Sequence, residues 1–256
     1  MPGNELEIGR FLLANIGKVM LPYIGQLTSV GAPNSSRPGF TPITTLAETN
    51  FLSSEDSRKK ADIYINGRGV SLKQTGSSFS YNRLQRANLQ DVYLILGFSN
   101  IEERLLTIDK EVERFHKGLL SHRNRPWEDF FEENNFKSLL DFLMMQGGPN
   151  VGLSHHPAEF ILEAPPFNIS VNSISLYTFD EYFDKYKRDF KIAIRRQWVG
   201  QASSSEHRRA LGLVQKPGNA PWVYEDIVGK PRTGWRSNFP KEARRTVYFL
   251  MIEKEV

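Results

Sequence analysis

The chain has no cysteine. That excludes a disulfide framework and any thiolate metal site, and it fits a reducing compartment. No apolar run approaches the roughly 18 residues that a membrane-spanning helix needs. The first residues, Met-Pro-Gly-Asn-Glu-Leu-Glu, have neither the basic nor the apolar segment of a secretory signal. The expected location is therefore cytoplasmic, with no membrane partner. Internal repeats and low-complexity tracts are missing, and so are HExxH, Walker A and GxGxxG patterns. The histidines do not make up for them. His155-His156 and His207 have no partner at metal-ligand spacing, and His116 and His122 fall in a charged helical stretch.

What is present describes a globular protein. At 256 residues and 39% hydrophobic content, the chain suits one large domain or one domain with a lobe. Its 33 Lys and Arg against 29 Asp and Glu give a net charge of only +4. The charge is unevenly spread. Residues 185–256 hold 16 basic and 7 acidic side chains, whereas residues 1–184 hold 17 and 22. Such asymmetry points toward nucleic acid or a membrane surface, with a partnerless basic face as the plain alternative.

Periodicity predicts the elements. Asn4 is placed to cap a helix reaching about Met20, with Ile8, Phe11, Leu12, Ile16 and Val19 as its apolar stripe. Residues 28–45, rich in Ser, Gly, Pro and Thr, read as a long loop. Ala61–Ile65 alternates, Asn66-Gly67 is a hairpin signal, and Gly69–Gln74 is the return strand. Helices are expected over 81–96, 101–119 and 127–145, and a short one over 179–186. Strands are expected at 160–162, 190–199 and 246–252, the last by its β-branched and aromatic content.

The hairpin carries the chemistry. In Lys60-Ala-Asp62-Ile-Tyr-Ile-Asn-Gly-Arg-Gly-Val-Ser71-Leu72-Lys73-Gln74, residues 71 and 73 leave the same face of their strand. A tight turn at Asn66-Gly67 brings Asp62 beside them. A carboxylate next to a lysine at a strand end suits metal-assisted phosphodiester hydrolysis. Asp62 and the Leu72 carbonyl are hard oxygen donors for Mg²⁺, and Lys73 can orient the attacking water and offset charge on the phosphate. An ordinary hairpin with a surface Asp and Lys is the alternative.

Asp62, a hairpin, then Ser71-x-Lys73 resembles the PD-(D/E)xK nuclease core shared by many type II restriction endonucleases. The resemblance covers about residues 58–86. It implies Asp62 as metal ligand, Lys73 as catalytic lysine and Mg²⁺ as cofactor. Ser71 stands where the family has its second acid, and Ala61 stands where it has proline. The missing acid is then expected from outside the motif. Glu7, on the first helix, where these nucleases often place an auxiliary glutamate, is preferred as catalytic and metal-binding residue, and Glu48 follows. Glu55 and Asp56, beside Arg58-Lys59-Lys60, read as solvated loop charge.

DNA contacts are expected from two regions. Gln74, Ser77, Ser78, Asn82 and Arg83 would sit at a strand end and helix start, where phosphates are commonly held. Arg195, Arg196, Arg208, Arg209, Lys230, Arg232, Arg236 and Asn238 lie in the basic part, where Arg and Asn suit base edges.

The expectation is an α/β, restriction-endonuclease-like fold. A central mixed β-sheet flanked by helices would hold the hairpin and strand 246–252, all in one domain over 1–256. Residues 1–99 would be the catalytic core, 100–147 an added helical lobe, and 185–256 the DNA-contacting part. The resemblance implies a Mg²⁺-dependent restriction endonuclease on double-stranded DNA. It would act as a homodimer, with a paired DNA methyltransferase in the host that is not a stable partner. Two other classes stay open: a non-catalytic nucleic-acid-binding protein, and a structure-selective repair or RNA nuclease.

Overall fold

The computed structural model describes residues 5–35, 37–53, 59–150 and 152–255, without the side chains of residues 51, 53 and 79–82. Asn4, Glu55, Asp56 and Arg58 lie outside the described residues. In chain order the main elements begin with α1 (Glu5–Ala14), β1 (Val30–Pro33), β2 (Phe40–Pro42), β3 (Ile63–Ile65), β4 (Arg68–Gln74) and β5 (Phe79–Leu84). Then come α2 (Arg86–Ile95), α3 (Ile101–His116), β6 (Asn124–Pro126), α4 (Glu133–Asp141), β7 (Phe160–Ala164) and β8 (Ser175–Tyr177). The last are α5 (Phe179–Tyr186), β9 (Phe190–Val199), α6 (Ser204–Val214), β10 (Val223–Tyr224) and β11 (Arg245–Lys254). No helix among the described residues is long and apolar enough to cross a membrane. The chain is of the α/β class, with a multi-strand mixed sheet and flanking helices. It divides into two compact units, residues 1–79 with 137–189 and 255–256, and residues 80–136 with 190–254.

The first unit is built on a six-stranded sheet in the order β8-β7-β4-β3-β1-β2. Its centre is the β3–β4 hairpin. Asn66 (φ 49°) and Gly67 (φ 78°) both take the left-handed region, as a two-residue type I′ turn demands. Asn66 also ties the turn to the preceding loop. Its Oδ1 accepts from Thr28 N at 2.8 Å and Ser29 N at 3.0 Å, and its Nδ2 donates to Gln26 O at 2.7 Å. On the other edge of the hairpin, β4 pairs in parallel with β7, Ser71 opposite Ile161 and Lys73 opposite Glu163. Gly69 permits that approach, because a Cβ there would meet the Pro157 carbonyl at 2.4 Å.

Alternation gives this sheet two unlike faces. Ile63, Ile65, Val70, Leu72, Phe160 and Leu162 join Ile8 and Leu12 of α1 in one apolar core. Asp62, Ser71, Lys73 and Glu163 occupy the alternate positions and so the opposite face. Helix α1 ends at Ala14, short of the expected Met20, and Gly17 lies beyond it at φ 77°. Ile8 and Leu12 are buried, while Ile16 is exposed. The expected loop at 28–45 contains β1, all four of whose residues are buried, and β2. Its glycine and prolines obscured a strand that Val30 and Ala32 anchor in the core.

The second unit has its own sheet, in the order β10-β11-β9-β6, with β5 also pairing β11. Strands β9 and β11 run antiparallel over ten residue pairs, from Phe190 opposite Lys254 to Val199 opposite Arg245. Strand 246–252 therefore exists, but in this sheet and not in that of the hairpin. Residues 79–84 form a strand instead of the start of a helix, and α2 begins only at Arg86. Leu84 is buried at a strand position whose spacing from Ala87 and Val92 also fits a helix. Residues 100–147 do not form a separate lobe. Those up to Phe136 cluster with 190–254, and those from Lys137 with the first unit.

Candidate active site

Asp62 stands one residue before β3, and its amide donates to Val70 O at 2.9 Å, which continues the hairpin ladder. Its Oδ2 accepts from the Leu72 amide at 2.7 Å and from Ser71 Oγ at 3.3 Å. Lys73 Nζ donates to Ser71 Oγ at 2.8 Å and to Leu72 O at 3.2 Å. Ser71 is only 2% exposed, so its hydroxyl links lysine and carboxylate within the fold. The hairpin thus gathers Asp62, Ser71, Lys73 and the Leu72 carbonyl, as the spacing predicts.

Two further side chains share this local field, and neither was singled out from the sequence. Glu5, in the first turn of α1, has its carboxyl pKa raised by burial and by the Asp62 carboxylate, with Lys73 opposing. Lys60, two residues before Asp62, is pushed down to about 8 by burial and by the Lys73 ammonium, with Asp62 opposing. Both respond to the charges of Asp62 and Lys73, which puts one more carboxylate and one more amine within electrostatic range of the hairpin motif. Glu163, the register neighbour of Lys73, is only 2% exposed. Its carboxylate is held by Tyr186 Oη at 2.7 Å and Lys185 Nζ at 3.3 Å.

Glu7 and Glu48 do not join the cluster. Glu7 is exposed and pairs with Arg10 at 2.9 Å. Two residues along a helix turn a side chain through about 200°, so Glu5 and Glu7 leave different sides of α1. Glu48 accepts from Thr44 N at 2.7 Å, Thr44 Oγ1 at 3.1 Å and Thr45 N at 3.1 Å, and these bonds lower its pKa. These bonds tie Glu48, inside the short helical turn Ala47–Ser53, to the segment that leads into it. The first-helix carboxylate on which Asp62 and Lys73 act is Glu5.

The oxygen donors suit a hard cation. Among the described residues no three His, Cys, Asp or Glu side chains come together as a metal-binding group. Two carboxylates and a carbonyl are all hard oxygens. Mg²⁺ is commonly held by one or two carboxylates and several waters, so the residues present fit it.

The chain matches no family model, no curated protein and no solved structure. Its chemistry therefore rests on its own side chains.

The expected DNA-contacting residues divide by how far the fold already uses them. In the first unit, Gln74 ends β4, and its carbonyl accepts from Ser77 Oγ at 2.8 Å, while Ser78 is exposed. A turn and strand follow, so the expected helix start is absent. The side chain of Asn82 lies outside the described residues. In the second unit, Arg195 pairs with Glu253 and Arg209 with Glu206. Arg196 donates to Val228 O at 3.2 Å and lies over the rings of Phe115 and Tyr248, which makes it a structural residue. Arg236 donates to Gln201 O and Ser204 Oγ, both at 3.0 Å. Arg208, Lys230, Arg232 and Asn238 are exposed. Arg83 covers the Phe249 ring, 4.8 Å from its centroid.

Proposed function

We propose that the hairpin cluster is the active site of a Mg²⁺-dependent nuclease, and that the protein is a type II restriction endonuclease with a restriction-endonuclease-like sheet. It would cut double-stranded DNA at a short sequence. The observation that carries this reading is the joining of Asp62, the Leu72 carbonyl and Lys73 on adjacent strands, with Glu5 in the same electrostatic field. An acid on the first helix also matches the auxiliary glutamate that PD-(D/E)xK nucleases often carry.

Hydrolysis forms a bond from a water oxygen to phosphorus and breaks the bond to the departing sugar oxygen, which takes a proton. Asp62, Glu5 and the Leu72 carbonyl would hold Mg²⁺, which lowers the pKa of its water and offsets phosphate charge. The protein's own part is positional. The Leu72 amide fixes the Asp62 carboxylate, and Ser71 fixes the Lys73 ammonium. Lys73 then orients the attacking water and stabilises the charge that grows on the phosphate oxygens. Lys60 adds a second cation, already partly desolvated.

The charge distribution supports a polyanionic substrate. The first unit carries 12 Lys and Arg against 14 Asp and Glu, and the second carries 21 against 15. A two-fold site on DNA would call for two copies of the chain. The test is incubation with plasmid DNA, with and without Mg²⁺, beside the Asp62→Asn and Lys73→Ala variants. Discrete metal-dependent fragments, lost in both variants, support restriction. Binding without cutting would favour a non-catalytic nucleic-acid binder, and diffuse or strand-selective cutting a repair nuclease.

A further inference from the structure

The second unit holds a cavity of about 280 Å³ lined by Arg83, Gln85, Arg209, Gly212, Lys216 and Phe249, with Gln197 and Leu213 completing the wall. Three of these side chains are cations and none is an acid. In a cavity this small, uncompensated positive charge raises the cost of every cation in it. The carboxylate that acts on Arg83, Glu206, is already shared between Arg209 and the Gln197 amide. Lys216 donates to a neutral acceptor, Asn88 Oδ1, at 3.2 Å. Arg83 makes no ion pair among the described residues; its one partner is the face of Phe249. Its pKa is lowered by burial and then by the Arg209 charge, with Glu206 opposing.

The two amides that line the cavity are each held at one end. Gln85 Oε1 accepts from Asn219 Nδ2 at 3.1 Å, which fixes the amide and leaves its NH₂ as the free end. Gln197 Nε2 donates to Glu206, which fixes that side chain in turn. Gly212, on α6, has no atom within 4 Å of where a Cβ would lie, so the helix surface beside the cavity is open. Two guanidinium forks and an ammonium that share the single carboxylate of Glu206 leave a net positive donor set of the kind that oxyanions of phosphorus select.

We propose that this cavity is a phosphate-binding site of the second unit, taking either a phosphodiester of nucleic acid or the phosphate of a free nucleotide. The site stands on residues of the second unit alone and does not depend on hydrolysis at the hairpin. Arg83 and Lys216 would hold the phosphate oxygens directly, and Arg209 would be drawn partly from Glu206 toward the ligand.

The test uses the full chain in EDTA, where the hairpin chemistry is silent. Inorganic phosphate, a nucleoside monophosphate and a short fluorescent DNA duplex are titrated separately by calorimetry and anisotropy. The wild-type chain, Arg83→Gln, Lys216→Gln and Gly212→Glu are compared. Gly212→Glu places a carboxylate at the cavity and improves helix propensity, so its effect is not one of misfolding. The expected result is saturable phosphate binding that weakens tenfold or more in all three variants. If the duplex displaces phosphate, and each lost cation lowers the salt slope of duplex binding by about 1, the natural ligand is a nucleic-acid backbone. If the mononucleotide binds in the same variant-sensitive way and the duplex does not compete, it is a free phosphorylated molecule. Binding that is absent, or equal in the wild-type chain and Gly212→Glu, overturns the proposal.

Discussion

The amide of Leu72 donates to the Asp62 carboxylate at 2.7 Å, across the hairpin that joins them. A main-chain donor thus fixes the orientation of the acid before any ligand arrives, and the same residue presents its carbonyl to the Lys73 ammonium. Strand pairing, and not a mobile side chain, sets the geometry of the site. Pre-organisation of this kind keeps a charged cluster from rearranging when substrate binds.

It follows that Asp62→Asn separates fold from metal affinity. The amide oxygen can still accept from Leu72, so the change should cost about 1 kcal/mol or less of stability. Saturating Mg²⁺ should raise the thermal midpoint of the wild-type chain, because a ligand that binds only the folded state stabilises it. The variant should show no such rise. An equal rise in both proteins would remove Asp62 from the ion's coordination.

Glu5→Gln should stabilise the metal-free protein while lowering its Mg²⁺ response. Burial and Asp62 hold the Glu5 pKa above its ordinary 4.5 in the folded state. Its contribution to stability is therefore full below pH 4.5 and is lost as pH rises through the folded value. Above that window the wild-type chain carries a disfavoured charge that glutamine lacks, so the variant should be the more stable of the two. Glu7→Gln, at an exposed pair, should stay within about 0.5 kcal/mol. Urea unfolding in EDTA between pH 4 and 7 reads both.

The two glutamates show what the sequence can and cannot specify. Both lie in the first turn of a helix whose existence the apolar stripe predicts, but which of them meets the hairpin depends on how the helix is rotated on the sheet. That rotation is set by Ile8 and Leu12 entering the core that also holds Val30, Leu52, Ile63 and Val70, a long-range fact. The hairpin is the opposite case. Asn66-Gly67 and a two-residue period fix register locally, so Asp62, Ser71 and Lys73 could be placed together without a structure. Glu163 reaches its place beside Lys73 through a parallel pairing across 90 residues, which no local pattern announces. The strand at 79–84 does not announce itself because the apolar spacing that runs through it also suits a helix, and 246–252 reads as a strand whose sheet local content does not name.

Lys60 should be the most reactive lysine near neutral pH. Its pKa of about 8 lies below the ordinary 10.5, so stability rises with pH between those values as the folded state gives up its proton first. At pH 8 the folded chain presents a large fraction of neutral amine there. Brief acylation at that pH, followed by peptide mass spectrometry, should modify Lys60 ahead of exposed residues such as Lys18 and Lys230. Labelling of Lys60 at or below their rate would contradict a pKa lowered by burial and by the Lys73 charge.

The turn should carry stability out of proportion to its size. Asn66→Ala removes the acceptor of two backbone amides and leaves an alanine in the left-handed region. The expected loss is about 2–3 kcal/mol, read as a lower urea midpoint with an unchanged slope. Asn66→Gly, which keeps the backbone conformation open, should recover part of it. If both variants unfold like the wild-type chain, the turn does not anchor the site.

The decisive measurement is cleavage of supercoiled plasmid by the full chain with Mg²⁺, beside Lys73→Ala and an EDTA control. A restriction nuclease built on this hairpin predicts a fixed ladder of fragments with Mg²⁺, none in EDTA, and a rate at least a hundredfold lower in Lys73→Ala. Intact plasmid with the wild-type chain under all conditions, or fragments that persist undiminished in Lys73→Ala, would contradict it.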